Sequence, residues 1–239
     1  MTDGVPFMIT VAMRVALRRC GLADTDIENM TPEEAHRVLL TPDVRTVRSF
    51  FELFVTSAQK SLGDLSPPGW LQMTRKHPNA SDFIPTRYRI DDVGLIERMT
   101  HEALIDSEAG HNVYVEPRFV KFGLGGKKRG ELVDTGAVFA LVVDSDADRN
   151  MGWTPPPNMR PTLTVETSPG NHQFWYFLNK AIGPAQAKEL GARIRKATGS
   201  DHDTGTPTQP YRVPGTINYP NRVKLDRGRV ATPTWVLAP

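Results

Sequence analysis

The sequence predicts an α+β protein, with a helical N-terminal third followed by a domain built on antiparallel strands. Three observations predict it. Residues 1–62 repeat apolar side chains at helical spacing between recognisable caps. Beyond residue 110 the apolar runs become short, β-branched and aromatic, and glycine, proline and asparagine separate them. One late amphipathic run, "GPAQAKELGARIRKAT", returns to the helical period.

The elements follow in order. "MITVAMRVALRRC" is an amphipathic helix, and "TPEEAHRVLL" opens with a Thr cap and two acidic residues in its first turn. "VRTVRSFFELFVTSAQKSLG" carries apolar residues at helical spacing and stops at Gly63. Residues 64–89 hold Pro67, Pro68, Pro78 and Pro85 and read as an irregular connection. "DDVGLIERMTHEALIDSEAG" is a further helix, with Gly110 as its stop signal. "NVYVEPRFVKF" and "GAVFALVVDSD" read as strands on either side of the Gly/Lys-rich loop "GLGGKKRGE". "TLTVETS" and "HQFWYFL" are two strands joined through Pro-Gly-Asn as a hairpin. The turn-rich "QPYRVPGTINYPN" and a closing strand, "TPTWVLA", complete the chain.

Composition excludes several function classes. The 239 residues carry a net charge of +2, so no bulk charge drives nucleic-acid binding, and any basic surface must be local. The single cysteine, Cys20, rules out an internal disulfide framework and every multi-cysteine zinc module, which fits a cytoplasmic protein. The apolar stretch 5–17 is too short to span a bilayer and contains Arg14, so no membrane partner is expected.

Chemistry concentrates in three places. In "LVVDSDADRN" an apolar strand runs into aspartates spaced two apart, so Asp144 and Asp146 project from one face. Adjacent carboxylates repel, and a divalent cation with hard oxygen ligands, Mg²⁺ or Mn²⁺, removes that cost. A solvated strand end is the plainer reading of the same pattern. A calcium EF-hand fails, because its sixth and twelfth places hold Arg149 and Pro155. In "ETSPGNHQFWYFL", His172 follows a turn whose Ser168–Asn171 backbone offers amide donors to phosphate. On that strand Phe174 and Tyr176 share the His172 face, while Gln173, Trp175 and Phe177 point the other way. In "GSDHDTGTPTQPYRVPGTINYPNRVK", Asp201 and Asp203 are followed by Arg212, Asn218 and Lys224 on a Pro/Gly-shaped loop.

The order of these three segments resembles the archaeo-eukaryotic primase superfamily, and most of all its RepB-like and primase-polymerase branch of plasmids, phages and mobile elements. The resemblance covers about residues 110–225, with "SPGNHQFWY" and "RVPGTINYPN" as its most specific pieces. It implies a catalytic core with an RRM-like antiparallel sheet and flanking helices. Residues 1–89 would then be a helical region with its Pro-rich connection, and 90–239 the catalytic domain. By resemblance, Asp144 and Asp146 bind the catalytic metals and His172 contacts the incoming nucleotide's phosphates. Asp201 matches the third metal-binding aspartate, with Asp203 in reserve. Arg212, Asn218 and Lys224 match positions near nucleotide or template, and Ser168 and Asn171 accompany His172. Asp148 lies outside the paired aspartates.

The implied activity is template-directed nucleotidyl transfer with a two-metal Mg²⁺ or Mn²⁺ site, making short primers on single-stranded DNA from nucleoside triphosphates. Two other readings stand beside it: a non-catalytic DNA-binding replication initiator, and a metal-dependent nuclease. Lys127, Lys128 and Arg129 precede the acidic strand and would grip triphosphate or template phosphate; a solvated hairpin tip explains them equally well. No Gly-x-x-x-x-Gly-Lys-Ser/Thr occurs, so unwinding would call for another protein, a separate helicase or replication initiator as partner, or for a further C-terminal region.

Overall fold

In the computed structural model, which describes residues 8–200 and 204–237, the chain opens with four helices: α1 (Val11–Arg19), α2 (Asp24–Asn29), α3 (Pro32–Leu39) and α4 (Val44–Leu62). Their starts are locally encoded. The Thr31 hydroxyl accepts the Glu34 N–H at 3.2 Å while the Glu34 carboxylate accepts the Thr31 N–H at 2.7 Å. Asp43 caps α4 by accepting the Arg45 and Thr46 N–H groups. The helices then divide between two cores. Leu17, Ile27, Ala35 and Leu39 close α1–α3 on themselves, whereas α4 buries Phe50, Phe51 and Phe54 in the main core.

Next come β1 (Leu71–Lys76), β2 (Ile84–Tyr88) and α5 (Leu95–Glu108). The stretch 64–89, expected as an irregular connection, thus contains an antiparallel pair. Its prolines sit where they cost no ladder bond. Pro67 and Pro68 precede β1, Pro78 lies in the connection, and Pro85 is on β2, the edge strand. A second correction follows at β3 (Asn112–Val115) and β4 (Arg118–Val120), expected as one strand. Glu116-Pro117 interrupts the run, and the chain passes from one sheet to the other there.

The remaining elements are β5 (Thr135–Asp146), β6 (Leu163–Ser168), β7 (Asn171–Ile182), α6 (Pro184–Thr198), β8 (Tyr211–Arg212), β9 (Ile217–Asn218), α7 (Arg222–Asp226), β10 (Thr232–Pro233) and β11 (Trp235–Leu237). A four-stranded sheet has the order β2-β1-β3-β8, a five-stranded sheet the order β11-β6-β7-β5-β4, and β10 pairs with β9. All these pairings are antiparallel. The α+β class and antiparallel sheet are as the sequence predicts.

Trp175 joins the layers. It is fully buried, meets Phe50 of α4 edge-on at 5.7 Å and Tyr211 of β8 at 5.5 Å, and pairs across the ladder with Val142. Burying each such ring stabilises the fold by roughly 1.5–3 kcal/mol. On the opposite face of β5, Val138 and Leu141 pack on Ala187 of α6. The Pro-Gly-Thr turn is pressed onto the start of α4. Gly215 has φ +84° and accepts the Asp43 N–H at 2.8 Å, and a Cβ there would meet the Asp43 carbonyl oxygen at 2.8 Å. Among the described residues no helix is long and apolar enough to cross a membrane.

Candidate functional site

β5 carries the acidic pair to its C-terminal end. Alternation places Asp144 and Asp146 on one face, about 6.7 Å apart along the strand. The strand ends there in a tight turn, Ala147–Arg149, and Arg149 folds back to within 3.2 Å of the Asp146 carboxylate. On the free edge of β5 the Thr204 hydroxyl accepts the Asp144 N–H at 2.9 Å, and the Gly205 N–H bonds the Val142 carbonyl. The third motif's segment is therefore laid alongside the acidic strand. Asp201 and Asp203 themselves, and the side chain of Asp148, lie outside the described residues.

The aspartates open onto a pocket of about 200 Å³, walled by Asn171 and Gln173 of β7, Tyr114 and Arg212 of the second sheet, and Lys224 and Arg229. Arg212 donates to Asn112 at 2.6 Å and lies over the Tyr114 ring at 5.0 Å. Asn218 donates to the Thr167 carbonyl at 2.6 Å. The Ser168 hydroxyl takes hydrogen bonds from Asn171 at 2.8 Å and from Arg229 at 3.0 Å. The Lys224 ammonium is pushed below the usual lysine range, first by burial and then by Arg212 and Arg149, with Asp146 and Asp144 opposing. Two carboxylates thus face four cations across one small space.

The hairpin β6–β7 forms as expected, with Pro169 and Gly170 at its corner and Gly170 at φ +79°. Its register does not bring His172 to the aspartates. Asp144 pairs with Gln173 and Asp146 with Asn171, whereas His172 pairs with Ser145 and turns to the other face. There His172 stacks on Phe174 at 5.7 Å and lies 4.0 Å from Glu166, a buried carboxylate that also holds Arg19 of α1. In its place stands Gln173. This side chain is 5% exposed, and its Oε1 has no hydrogen-bond partner among the described residues. A buried carboxamide oxygen left unpaired costs about 1–3 kcal/mol, which a bound ligand would recover.

Asp144, Asp146, Ser168, Asn171, Arg212, Asn218 and Lys224, all singled out in the sequence, therefore line one pocket. Lys127, Lys128 and Arg129 do not line this pocket. Gln173, Arg229 and Tyr114 are additions that sequence reasoning missed. Strand parity separated Gln173 from His172, but only the pairing with β5 shows which of the two stands beside the aspartates. Arg229 had no signal, for "DRGRV" is an ordinary charged turn.

The donor set suits a hard divalent ion: two carboxylates and the Gln173 carboxamide oxygen are all oxygen ligands. Among the described residues no group of three or more His, Cys, Asp or Glu side chains could hold a metal.

Residues 87–231 match the family described as RepB DNA-primase N-terminal domain, a span that contains every described pocket residue named above. No curated protein matches at the level of sequence. Among solved structures, the fold is similar to the AEP domain of cyanophage S-2L primase-polymerase (PrimPol), at TM-score 0.51 and 14% identity over 83% of this chain and 91% of that one. It is also similar to primase RepB′, at TM-score 0.51 and 13% identity over 79% of this chain; the match spans 56% of that longer protein.

Proposed function

The chain belongs to the RepB DNA-primase N-terminal domain family, within the archaeo-eukaryotic primase fold, and from that premise we propose that it is a primase or primase-polymerase. It would join nucleotides on a single-stranded DNA template, using Mg²⁺ or Mn²⁺. One observation carries the reading: Asp144 and Asp146 face Arg149, Arg212, Lys224 and Arg229 across a single pocket.

That arrangement suits a nucleoside triphosphate. Arg212, Lys224 and Arg229 supply charge-assisted hydrogen bonds to phosphate oxygens and hold the triphosphate's orientation. Gln173 offers its carboxamide at the pocket floor, beside Asp144. Asp144 and Asp146 would hold divalent metal, with Asp201, or failing that Asp203, as the third carboxylate. When bound, the metal supplies charge neutralisation on the reacting phosphate and lowers the pKa of the attacking hydroxyl. The protein's own part is positioning and electrostatics. Arg149 balances Asp146 at 3.2 Å, and would share that carboxylate with a bound metal or give way to it.

Purified protein given a single-stranded template, Mn²⁺ or Mg²⁺ and labelled nucleoside triphosphates is expected to make short products. Asp144→Asn/Asp146→Asn should abolish them while leaving the circular dichroism spectrum and melting transition in place. DNA binding without product on any template would favour the replication-initiator reading. Template degradation without incorporation would favour the nuclease.

A further inference from the structure

The four-stranded sheet has one face against α4 and α5, where Leu71, Met73, Val113 and Val115 are buried. Its other face carries Gln72, Thr74 and Lys76 of β1, Arg87 of β2, Tyr114 of β3 and Arg212 of β8, by the strand register. The loop 121–131 lies over this face and is fastened there. The Arg87 guanidinium donates to the Leu124 carbonyl at 2.6 Å and also to that of Lys128. The buried Arg118 donates to the carbonyls of Arg129, Gly130 and Glu131 at 2.9–3.1 Å. Gln72 donates to the Arg129 carbonyl at 2.9 Å. Buried polar groups committed to a loop of this composition fix the exposed Lys127 and Lys128 at its tip.

From that tip a file of cations and rings leads to the pocket. The Arg129 guanidinium lies over the Phe83 ring at 4.9 Å, and Lys76 over the same ring at 4.7 Å. Phe83 meets Tyr114 edge-on at 5.4 Å, and Arg212 lies over Tyr114 at 5.0 Å. Tyr114 and Arg212 are already walls of the acidic pocket. The nearby carboxylates offset only part of this charge: the fully buried Glu116 is shared between Arg118 and Arg129, and Asp134 and Asp82 accept from the Glu131 N–H and the Ser81 hydroxyl. The rings hold each cation in place and leave its outer N–H groups for a ligand. On a chain of net charge +2, this is a local concentration of positive charge.

We propose that this face is the track of the DNA template strand, gripped through its phosphates from Lys127 and Lys128, past Arg129, Lys76 and Phe83, to Arg212 at the pocket mouth. The inference rests on the nucleotidyl-transfer reading for the direction of the track, and on the sheet's charge and geometry for its existence. Single-file cations suit one strand, and a grip through phosphates is independent of sequence.

The test uses the whole chain, a fluorescent oligothymidylate and a duplex of equal length. Binding is read by anisotropy across a salt series, and product formation is read in parallel. Lys127→Glu/Lys128→Glu should weaken single-strand binding roughly tenfold or more and flatten the log K against log salt slope by about 1.4, at about 0.7 per phosphate lost. Lys188→Glu/Arg193→Glu on α6 makes the same charge change far from the track and should stay within about twofold of the unmutated protein. Phe83→Ala, which alters no charge, should weaken binding severalfold by releasing Lys76 and Arg129. Equal losses in the loop and α6 variants would overturn the track, as would a larger loss for the duplex than for the single strand. If the loop variant loses DNA binding while no protein makes product, the track stands and the nucleotidyl-transfer reading fails. If product forms and the loop variant binds DNA normally, the reverse holds.

Discussion

Glu116→Gln tests the charge cluster that holds the basic loop. Glu116 and Arg118 are both fully buried, their side chains 2.6 Å apart, and Arg129 approaches the same carboxylate at 3.7 Å. Removing one partner of a buried ion pair costs about 3–5 kcal/mol, because the other charge is left uncompensated. Arg118 keeps the Thr135 hydroxyl at 2.7 Å and three backbone carbonyls, so its N–H groups stay satisfied. The loss should therefore sit at the low end, about 3 kcal/mol, or roughly 6–12 °C in Tm for a chain of this size. Urea titration followed by circular dichroism reads it as a lower midpoint at constant m-value.

Replacing both partners, Glu116→Gln/Arg118→Met, should recover most of the stability while loosening the loop. A single-variant loss under about 1 kcal/mol would refute the claim that the buried pair anchors it.

Three further outcomes follow from named contacts. Gln173→Ala should raise the KM for nucleotide by roughly 5–30-fold, the worth of about 1–2 kcal/mol of hydrogen bonding, whereas His172→Ala should leave it nearly unchanged; the reverse pattern would place His172 in the pocket in solution. Gly215→Ala forces a side chain against the Asp43 carbonyl and Val47 at positive φ, so a loss of about 2 kcal/mol or more is expected by thermal melting. Arg19→Ala leaves the buried Glu166 without its α1 partner, and amide exchange in α1 should quicken more than in β5.

Much of the local structure was legible from the chain. Thr31 with its acidic first turn, Gly63 at the end of α4, and Pro169-Gly170 each specify their cap, stop or turn through neighbours within four residues, and each forms. The acidic pair was equally local, because two-residue spacing on a strand fixes its common face. The pairing of β1 with β2 was not visible, since four prolines suppress the strand signal and only the position of Pro85 on an edge makes it permissible.

The split of "NVYVEPRFVKF" between two sheets likewise depends on which partners each half meets. So does the site's occupant beside Asp144. The sequence places His172 and Gln173 one residue apart, and a single residue of register reverses every side chain on a strand. By itself the sequence determined that Asp144 and Asp146 share one strand face and which residues are candidates for the site. Only the ladder between β5 and β7 decided that Gln173 stands with them and His172 does not, because facing is a property of pairing and not of composition.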